Sequence, residues 1–218
     1  EVLDVDMGAD TNRTVVTFVG TPDIISEAAF QGVKRASELI DMRKHEGAHP
    51  RMGATDVCPF IPVSNVSMED CIRLAKETGK RIGNELSIPV YLYENAASRE
   101  ERKNLATVRS GEYEGLEEKL NDPEWKPDYG SAKLNKHAGA TAVGAREFLI
   151  AYNINLNTND RTYANEIAYE LRERGRWKRI GNTEPFYYKG DVVYFEENKF
   201  PDGNSDFVGK NFEELSIY

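Results

Sequence analysis

The chain opens on two short β-branched runs, Val2-Leu3-Asp4-Val5 and Arg13-Thr14-Val15-Val16-Thr17-Phe18-Val19, separated by the turn formers Gly8-Ala9-Asp10-Thr11-Asn12. The pattern predicts a hairpin-like pair. Gly20-Thr21-Pro22-Asp23 then predicts a helix start, with Thr21 at the N-cap, Pro22 at the first helical position and Asp23 near the positive end of the dipole. Ile25, Ala29, Val33, Ala36 and Ile40 follow at helical spacing, so one stripe faces a core and the helix ends near Asp41. Residues 58–63 predict another strand, which Pro59 and Pro62 confine to an edge or to strand ends. Ser67-Met68-Glu69-Asp70 is a capping-box variant opening a second helix, with Cys71, Ile72, Ala75, Ile82 and Leu86 on its apolar face.

Residues 88–93 predict a further strand, residues 99–109 a charged helical stretch, and residues 147–155 one more strand, with a loop carrying Trp125, Pro127 and Tyr129 between them. Strand, strand, helix, strand, helix, strand is the rhythm of an α+β, ferredoxin-like split βαβ sandwich with helices on one sheet face. A doubly wound parallel sheet is the alternative. From Asp160 a second unit begins, in which Tyr163, Ile167, Ala168 and Leu171 mark a helix ending at 172–176. Beyond Asn182 the chain turns polar and aromatic, as a hairpin insertion or an ordered extension through residues 185–218. The first residues already read as a strand in progress, so an upstream segment is expected.

Composition narrows the function class. The 218 residues carry 28 basic and 37 acidic side chains, a net charge of −9, which disfavours a nucleic-acid backbone as partner. No window approaches the roughly 18 uninterrupted apolar residues of a membrane span, and no basic-then-apolar leader is seen. Cys58 and Cys71 are the only cysteines, without metal-ligand spacing, so a cytoplasmic chain without a zinc site is expected. The sequons at Asn12 and Asn65 are then chance occurrences. No glycine signature of a dinucleotide or P-loop nucleotide site is present.

The densest polar cluster, residues 41–56, places His45 and His49 among Arg43, Lys44, Arg51, Asp41, Glu46, Asp56 and several small residues, just before an apolar strand. A solvated loop is the bland reading, but reactive groups concentrate on loops held by rigid scaffolds. His45, His49 and His137 are the acid–base candidates, and His49 ranks first because Pro50 restricts its backbone to extended geometry. Arg43, Lys44 and Arg51 are candidate carboxylate binders in an acidic protein. Asp4 and Asp6 alternate with Val5 and share one face, as a turn-end pair or as carboxylates facing a cationic reaction centre, and Asn12 and Arg13 close the same turn. Pro127-Asp128-Tyr129-Gly130 and residues 139–146 offer small residues that let a backbone approach a flat ligand, with Trp125 and Tyr129 able to stack or to fill a core.

Several blocks together carry a resemblance: Asp4-Val5-Asp6; residues 11–20; Leu39-Ile40-Asp41-Met42; His49-Pro50-Arg51-Met52-Gly53-Ala54-Thr55-Asp56 through Val63; residues 89–93; and residues 148–156. They resemble glutamate formimidoyltransferases, from Val2 to about Leu171. The resemblance implies two ferredoxin-like subdomains: residues 1–157 as the N-terminal one without its first strand, and 158–218 as the start of a truncated second. It implies transfer of a formimino group from N-formimino-L-glutamate to the co-substrate tetrahydrofolate, in histidine breakdown, without a metal, in a cytoplasmic enzyme that is a homodimer when full length. His49 would be the catalytic acid–base, Asp6 would face the reacting group, and Arg13 and Arg51, with Arg43, would anchor carboxylates. The folate loop would be Gly130, Ser131, Ala132, Lys133, Leu134, Asn135, Lys136, His137, Ala138 and Gly139. A formyl-transferring relative and a non-catalytic folate-binding module are the competing expectations.

Overall fold

A computed structural model of the chain describes residues 1–149 and, beyond them, 156–158, 160, 162–164, 167, 177–178 and 186–187. The chain divides into two compact units, Glu1–Leu149 and Ile150–Tyr218. In the first, chain order runs β1 (Val2–Gly8), β2 (Arg13–Phe18), α1 (Pro22–Leu39), β3 (Val57–Phe60), α2 (Met68–Leu86), β4 (Val90–Glu94), α3 (Leu105–Arg109), α4 (Leu116–Asn121) and β5 (Thr141–Ala145). The hairpin expected at the start is present, β1 pairing antiparallel with β2. The other three strands form a separate, wholly parallel sheet in the order β3-β5-β4.

The helix signals operate as their chemistry predicts. Pro22 is the first residue of α1, though the Thr21 side chain makes no capping bond. At α2 the Ser67 hydroxyl accepts from the Asp70 amide at 3.1 Å while the Asp70 carboxylate accepts from the Ser67 amide at 3.1 Å, so two orphan donors are satisfied reciprocally.

Both faces of the parallel sheet are covered, where the sequence predicts helices on one. Val90, Leu92, Val143, Ala145 and Phe60 pack with Ala29, Phe30 and Val33 of α1 and Leu74, Ala75 and Ile82 of α2. Tyr91, Tyr93 and Ala142 point the other way, onto Val108, Leu116, Leu120 and Met52. The reason lies in β4, Val-Tyr-Leu-Tyr, which is apolar at both parities and therefore has no polar face to present to water.

The central strand, β5, is the element the sequence conceals. Thr141-Ala-Val-Gly-Ala145 reads as a run of small residues suited to a ligand, yet all five positions are buried. Their smallness serves packing: a Cβ on Gly144 would sit 2.5 Å from the Tyr93 ring. The charged stretch 99–109 also departs from one continuous helix. Arg102 is 2% exposed, pairs with Asp128 at 2.9 Å, donates to the carbonyls of Glu124 and Lys126, and lies over the rings of Tyr91 and Trp125. Turning that side chain inward leaves a short 3-10 turn at Glu100–Arg102, and Asn104 caps α3 afresh by accepting from the Ala106 amide.

The hairpin makes no ladder with the parallel sheet, and its apolar side chains are exposed on both faces: Val5, Val15 and Val16 by about half, Met7 by 76%. Only Phe18 joins the core. In the second unit, β6 (Trp177–Lys178) pairs antiparallel with β7 (Phe186–Tyr187). Residues 147–149 form no strand, residues 162–164 and 167 are helical, and the remaining expectations for 150–155, 168–176 and the tail fall outside the described residues. Among the described residues no helix is long and apolar enough to cross a membrane.

Leu92 and Met7 mark the contrast between sheet and hairpin. Leu92→Ala, at 3% exposure, is expected to lower unfolding stability by about 2–5 kcal/mol, whereas Met7→Ala stays within about 0.5 kcal/mol. Urea midpoints of the two variants measure the difference.

Candidate active site

The loop between α1 and β3 meets three other segments, and backbone contacts without intervening side chains set where it lies. Gly53 forms an isolated antiparallel bridge with Gly139, reinforced by the Ala140 amide donating to Met52 O at 2.9 Å and the Ala54 amide to Ala138 O at 2.8 Å. A Cβ on Gly53 would fall 2.0 Å from Ala140 O, and Gly139 has a left-handed φ of +69°. The glycine following His-Pro-Arg-Met is thus a crossing point: it lets the loop touch the chain entering β5.

The same loop grips the hairpin turn. Asn12, at φ +46°, donates from Nδ2 to Glu46 O at 2.7 Å, the Ala48 amide donates to Asp10 O at 3.1 Å, and Gly47 lies so close that a Cβ there would meet Thr11 O at 2.3 Å. His45 Nε2 lies 2.8 Å from Asn12 O; a carbonyl only accepts, so this nitrogen carries the hydrogen, and Nδ1 is buried without a partner. His45 is therefore a staple.

His49 is placed differently. Its Nδ1 lies 2.7 Å from Pro50 O and must be the protonated nitrogen, while Nε2 lies 2.6 Å from Arg13 Nη1, which can only donate. The imidazole is therefore neutral, with its lone pair on Nε2 toward the hairpin. Partial burial pushes its pKa below the usual 6.5, helped by the cations of Arg13 and Arg109, against the bond to Pro50 O and the charge of Asp56. A half-buried histidine kept neutral, with a defined lone pair, is equipped to take a proton.

Asp6 shares a hairpin face with Arg13 through register. Gly8 pairs with Arg13 and Asp6 with Val15, so Asp4, Asp6 and Arg13 share the hairpin face from which Arg13 meets His49. Arg51 is engaged internally. It donates to both oxygens of Glu114 at 2.7 and 2.8 Å, to Glu112 at 3.1 Å and to His45 O at 3.0 Å, beside an open hollow of about 450 Å³ that Glu46, Gly47 and Gly111 also line. Arg43 forks onto Asp41 with two bonds of 2.7 Å and holds that carboxyl at about 2.

The segment 130–139 has two characters. Ser131, Ala132, Lys133 and Lys136 are exposed, Gly130 turns at φ +83°, and Leu134 packs against the second core cluster. From Asn135 onward the chain is tied down: the Asn135 carboxamide oxygen accepts from the His137 and Ala138 amides, its carbonyl accepts from the Gly139 amide, and His137 O accepts from the Met42 amide. His137 Nδ1 lies 3.5 Å from Asp41. Two contributors, Tyr113 and Asp56, carry roles that the sequence does not assign. Tyr113 links the segments, its amide donating to Arg51 O and its hydroxyl to Lys136 O at 2.6 Å. Asp56 accepts from the Met52 amide at 3.0 Å and from Arg109 at 2.5 Å, a pairing across 53 positions that no local pattern signals. Among the described residues no group of three or more His, Cys, Asp or Glu side chains is arranged to hold a metal ion.

A family model described as formiminotransferase domain, N-terminal subdomain, matches residues 1–146. The formimidoyltransferase-cyclodeaminase of Dictyostelium discoideum is 54% identical over 184 residues, covering 84% of this chain and 33% of that protein. The glutamate formimidoyltransferase of Streptococcus pyogenes serotype M1 is 46% identical over 217 residues, 100% of this chain and 70% of that protein, and that of Thermoplasma acidophilum is 49% identical over 191 residues, 87% and 63% respectively. The chain thus spans about a third of the cyclodeaminase-named relative and roughly two thirds of the shorter ones.

The site geometry makes one pH-dependent expectation. His49 should titrate below 6.5 in an imidazole NMR titration, losing its accepting Nε2 lone pair only as pH falls through that lowered value. A midpoint at or above 6.5 would contradict the placement of Arg13 on Nε2. Separately, Gly53→Ala should cost about 2 kcal/mol or more in urea unfolding, because backbone rather than a flexible side chain blocks the new methyl.

Proposed function

The chain belongs to the formiminotransferase family through its N-terminal subdomain, and from that premise we propose that it transfers the formimino group of N-formimino-L-glutamate to tetrahydrofolate, giving 5-formiminotetrahydrofolate and L-glutamate in histidine degradation. The observation that carries the reading is the His49 imidazole, neutral and presenting Nε2 beside the hairpin face that bears Asp6 and Arg13. The folate nitrogen attacks the amidine carbon, forming a C–N bond and a tetrahedral intermediate. His49 Nε2 takes the proton that this nitrogen must lose and returns it to the departing glutamate nitrogen as the old C–N bond breaks. Asp6 balances the cationic amidinium from its face of β1.

Tetrahydrofolate lies against residues 130–139 in this reading, with the exposed half of that segment adapting to the ligand and the tied half fixing it relative to His49. Arg13 supplies the anchor for a donor carboxylate. Arg51 acts by holding the His49 loop to Glu112 and Glu114 and reaches substrate only by exchanging those partners. The ferredoxin-like sandwich is the fold we assign to the whole subdomain, supported by α1 and α2 lying together in one core layer against the sheet. A cytoplasmic location accords with the two free thiols, Cys58 and Cys71.

His49→Ala should leave the far-ultraviolet circular dichroism unchanged and reduce formimino transfer by about 10²–10⁴-fold. Transfer near the wild-type rate would refute the role of His49. Assaying N-formyl-L-glutamate beside N-formimino-L-glutamate checks the donor, with the amidine expected to be preferred.

A further inference from the structure

The contact that fixes the tautomer of His49 also covers the nitrogen that the reaction needs. Arg13 Nη1 sits 2.6 Å from His49 Nε2, so the lone pair is already occupied from within the protein. Four arginines surround the site, and three have carboxylate partners: Arg43 with Asp41, Arg51 with Glu112 and Glu114, and Arg109 with Asp56. Among the described residues Arg13 has none, in a chain whose net charge is −9. Its single side-chain partner is an uncharged ring.

We propose that Arg13 is a positioning residue that masks His49 Nε2 until its guanidinium turns to a carboxylate of the bound donor. The inference rests on the transfer reaction proposed above and adds the order in which the site assembles. A guanidinium offers a planar fork of donors, of which imidazole can use one; a carboxylate accepts two and carries a charge. An acidic donor therefore outcompetes the ring for Arg13, whereas a neutral molecule does not. The swap needs little from the backbone. Arg13 begins β2 beside a turn bound to the 45–48 loop through Asn12, Asp10 and His45, while its own side chain is exposed. Only rotamers have to change.

The exchange alters the charge around His49 in the direction catalysis requires. The charged groups acting on the ring are Arg13 from β2, Arg109 from α3 and Asp56 from the segment before β3. Arg109 and Asp56 are bonded to each other and stay in place. When Arg13 leaves and is itself neutralised by a carboxylate, one of the two cations opposing protonation is removed as the lone pair becomes accessible. Base strength and access rise together, and only with an acidic donor bound.

The test follows the His49 ring by imidazole NMR titration in this chain, with the signal assigned by its loss in His49→Asn. In Arg13→Ala the ligand-free midpoint should rise by about 0.5 pH unit or more, and Arg13→Lys should restore part of the depression. Adding L-glutamate or acetate should raise the wild-type midpoint toward that of Arg13→Ala and leave Arg13→Ala unmoved. A midpoint unaffected by Arg13→Ala, or a wild-type ring that ignores both carboxylates, overturns the proposal. In the transfer assay Arg13→Ala should raise KM for N-formimino-L-glutamate about tenfold or more with a smaller change in kcat, and the acid limb of its pH profile should move to higher pH. A collapse of kcat with KM unchanged would also overturn it. The two readings fail separately: a carboxylate-driven shift without formimino transfer removes the assigned reaction and keeps the masking, and transfer without any such shift does the reverse.

Discussion

Two backbones that touch where neither has a side chain hold the site in one piece. Gly53 and Gly139 bridge, and the amides of Ala140 and Ala54 donate across the join. Because the chain runs directly from Gly139 into β5, the central strand of the sheet, the loop bearing His49 is fastened to the most buried element of the fold. A methyl on either glycine would meet a carbonyl oxygen well inside contact distance, so the crossing excludes every larger residue without a shift of backbone. Precision at His49 is thereby inherited from the core. The segment 135–139 gains the same rigidity from the other side of the bridge, so a ligand resting on it keeps a fixed relation to the imidazole.

Charge is arranged around this join with a consistent logic. Most of the described arginines are paired with the protein's own carboxylates, whereas the acidic donor proposed above calls for a cation left uncommitted. Arg102 and Arg109 are nearly buried and paired, so removing a partner from either would strand a charge away from water. Arg51, 12% exposed at its side chain, ties the His49 loop to the segment around Glu112 and Glu114. Arg43 is bound to Asp41, whose depressed pKa keeps that pair ionised through the neutral range. Of the four arginines around the site, Arg13 is the one without a carboxylate partner among the described residues, and its side chain meets the neutral imidazole of His49 instead.

The sequence was legible wherever a local rule decided the outcome. Pro22 opening α1, the Ser67–Asp70 box opening α2 and the hairpin around Asn12 all depend on contacts within a few residues. His49 stood out for the same reason, since Pro50 constrains it directly and accepts from its ring. β5 was not legible because its strand signal, Thr141 and Val143, is interleaved with alanine and glycine chosen for tight packing against Tyr93. The inward turn of Arg102 and the Asp56–Arg109 pair were hidden because burial of a charged side chain is settled by partners 26 and 53 positions away. The small residues at 139–145 permit close approach, and within the described residues the protein's own backbone and rings make it: Met52 O at Gly139 and the Tyr93 ring at Gly144.

The hairpin is the counterweight to the rigid half of the site. It carries Asp6 and Arg13, yet among the described residues it pairs with no third strand, exposes apolar side chains on both faces and reaches the core only through Phe18. Such an element draws little stability from burial and is held mainly by hydrogen bonds at its turn, three of them to residues 45–48. Those bonds are backbone-directed and short in sequence on both sides, so they fix the position of the turn while leaving the side chains beyond it to respond to a ligand. In the proposed reaction the site therefore joins a base set by the core to an anchor set by a turn, and the difference in their stiffness would let the guanidinium move while the imidazole stays.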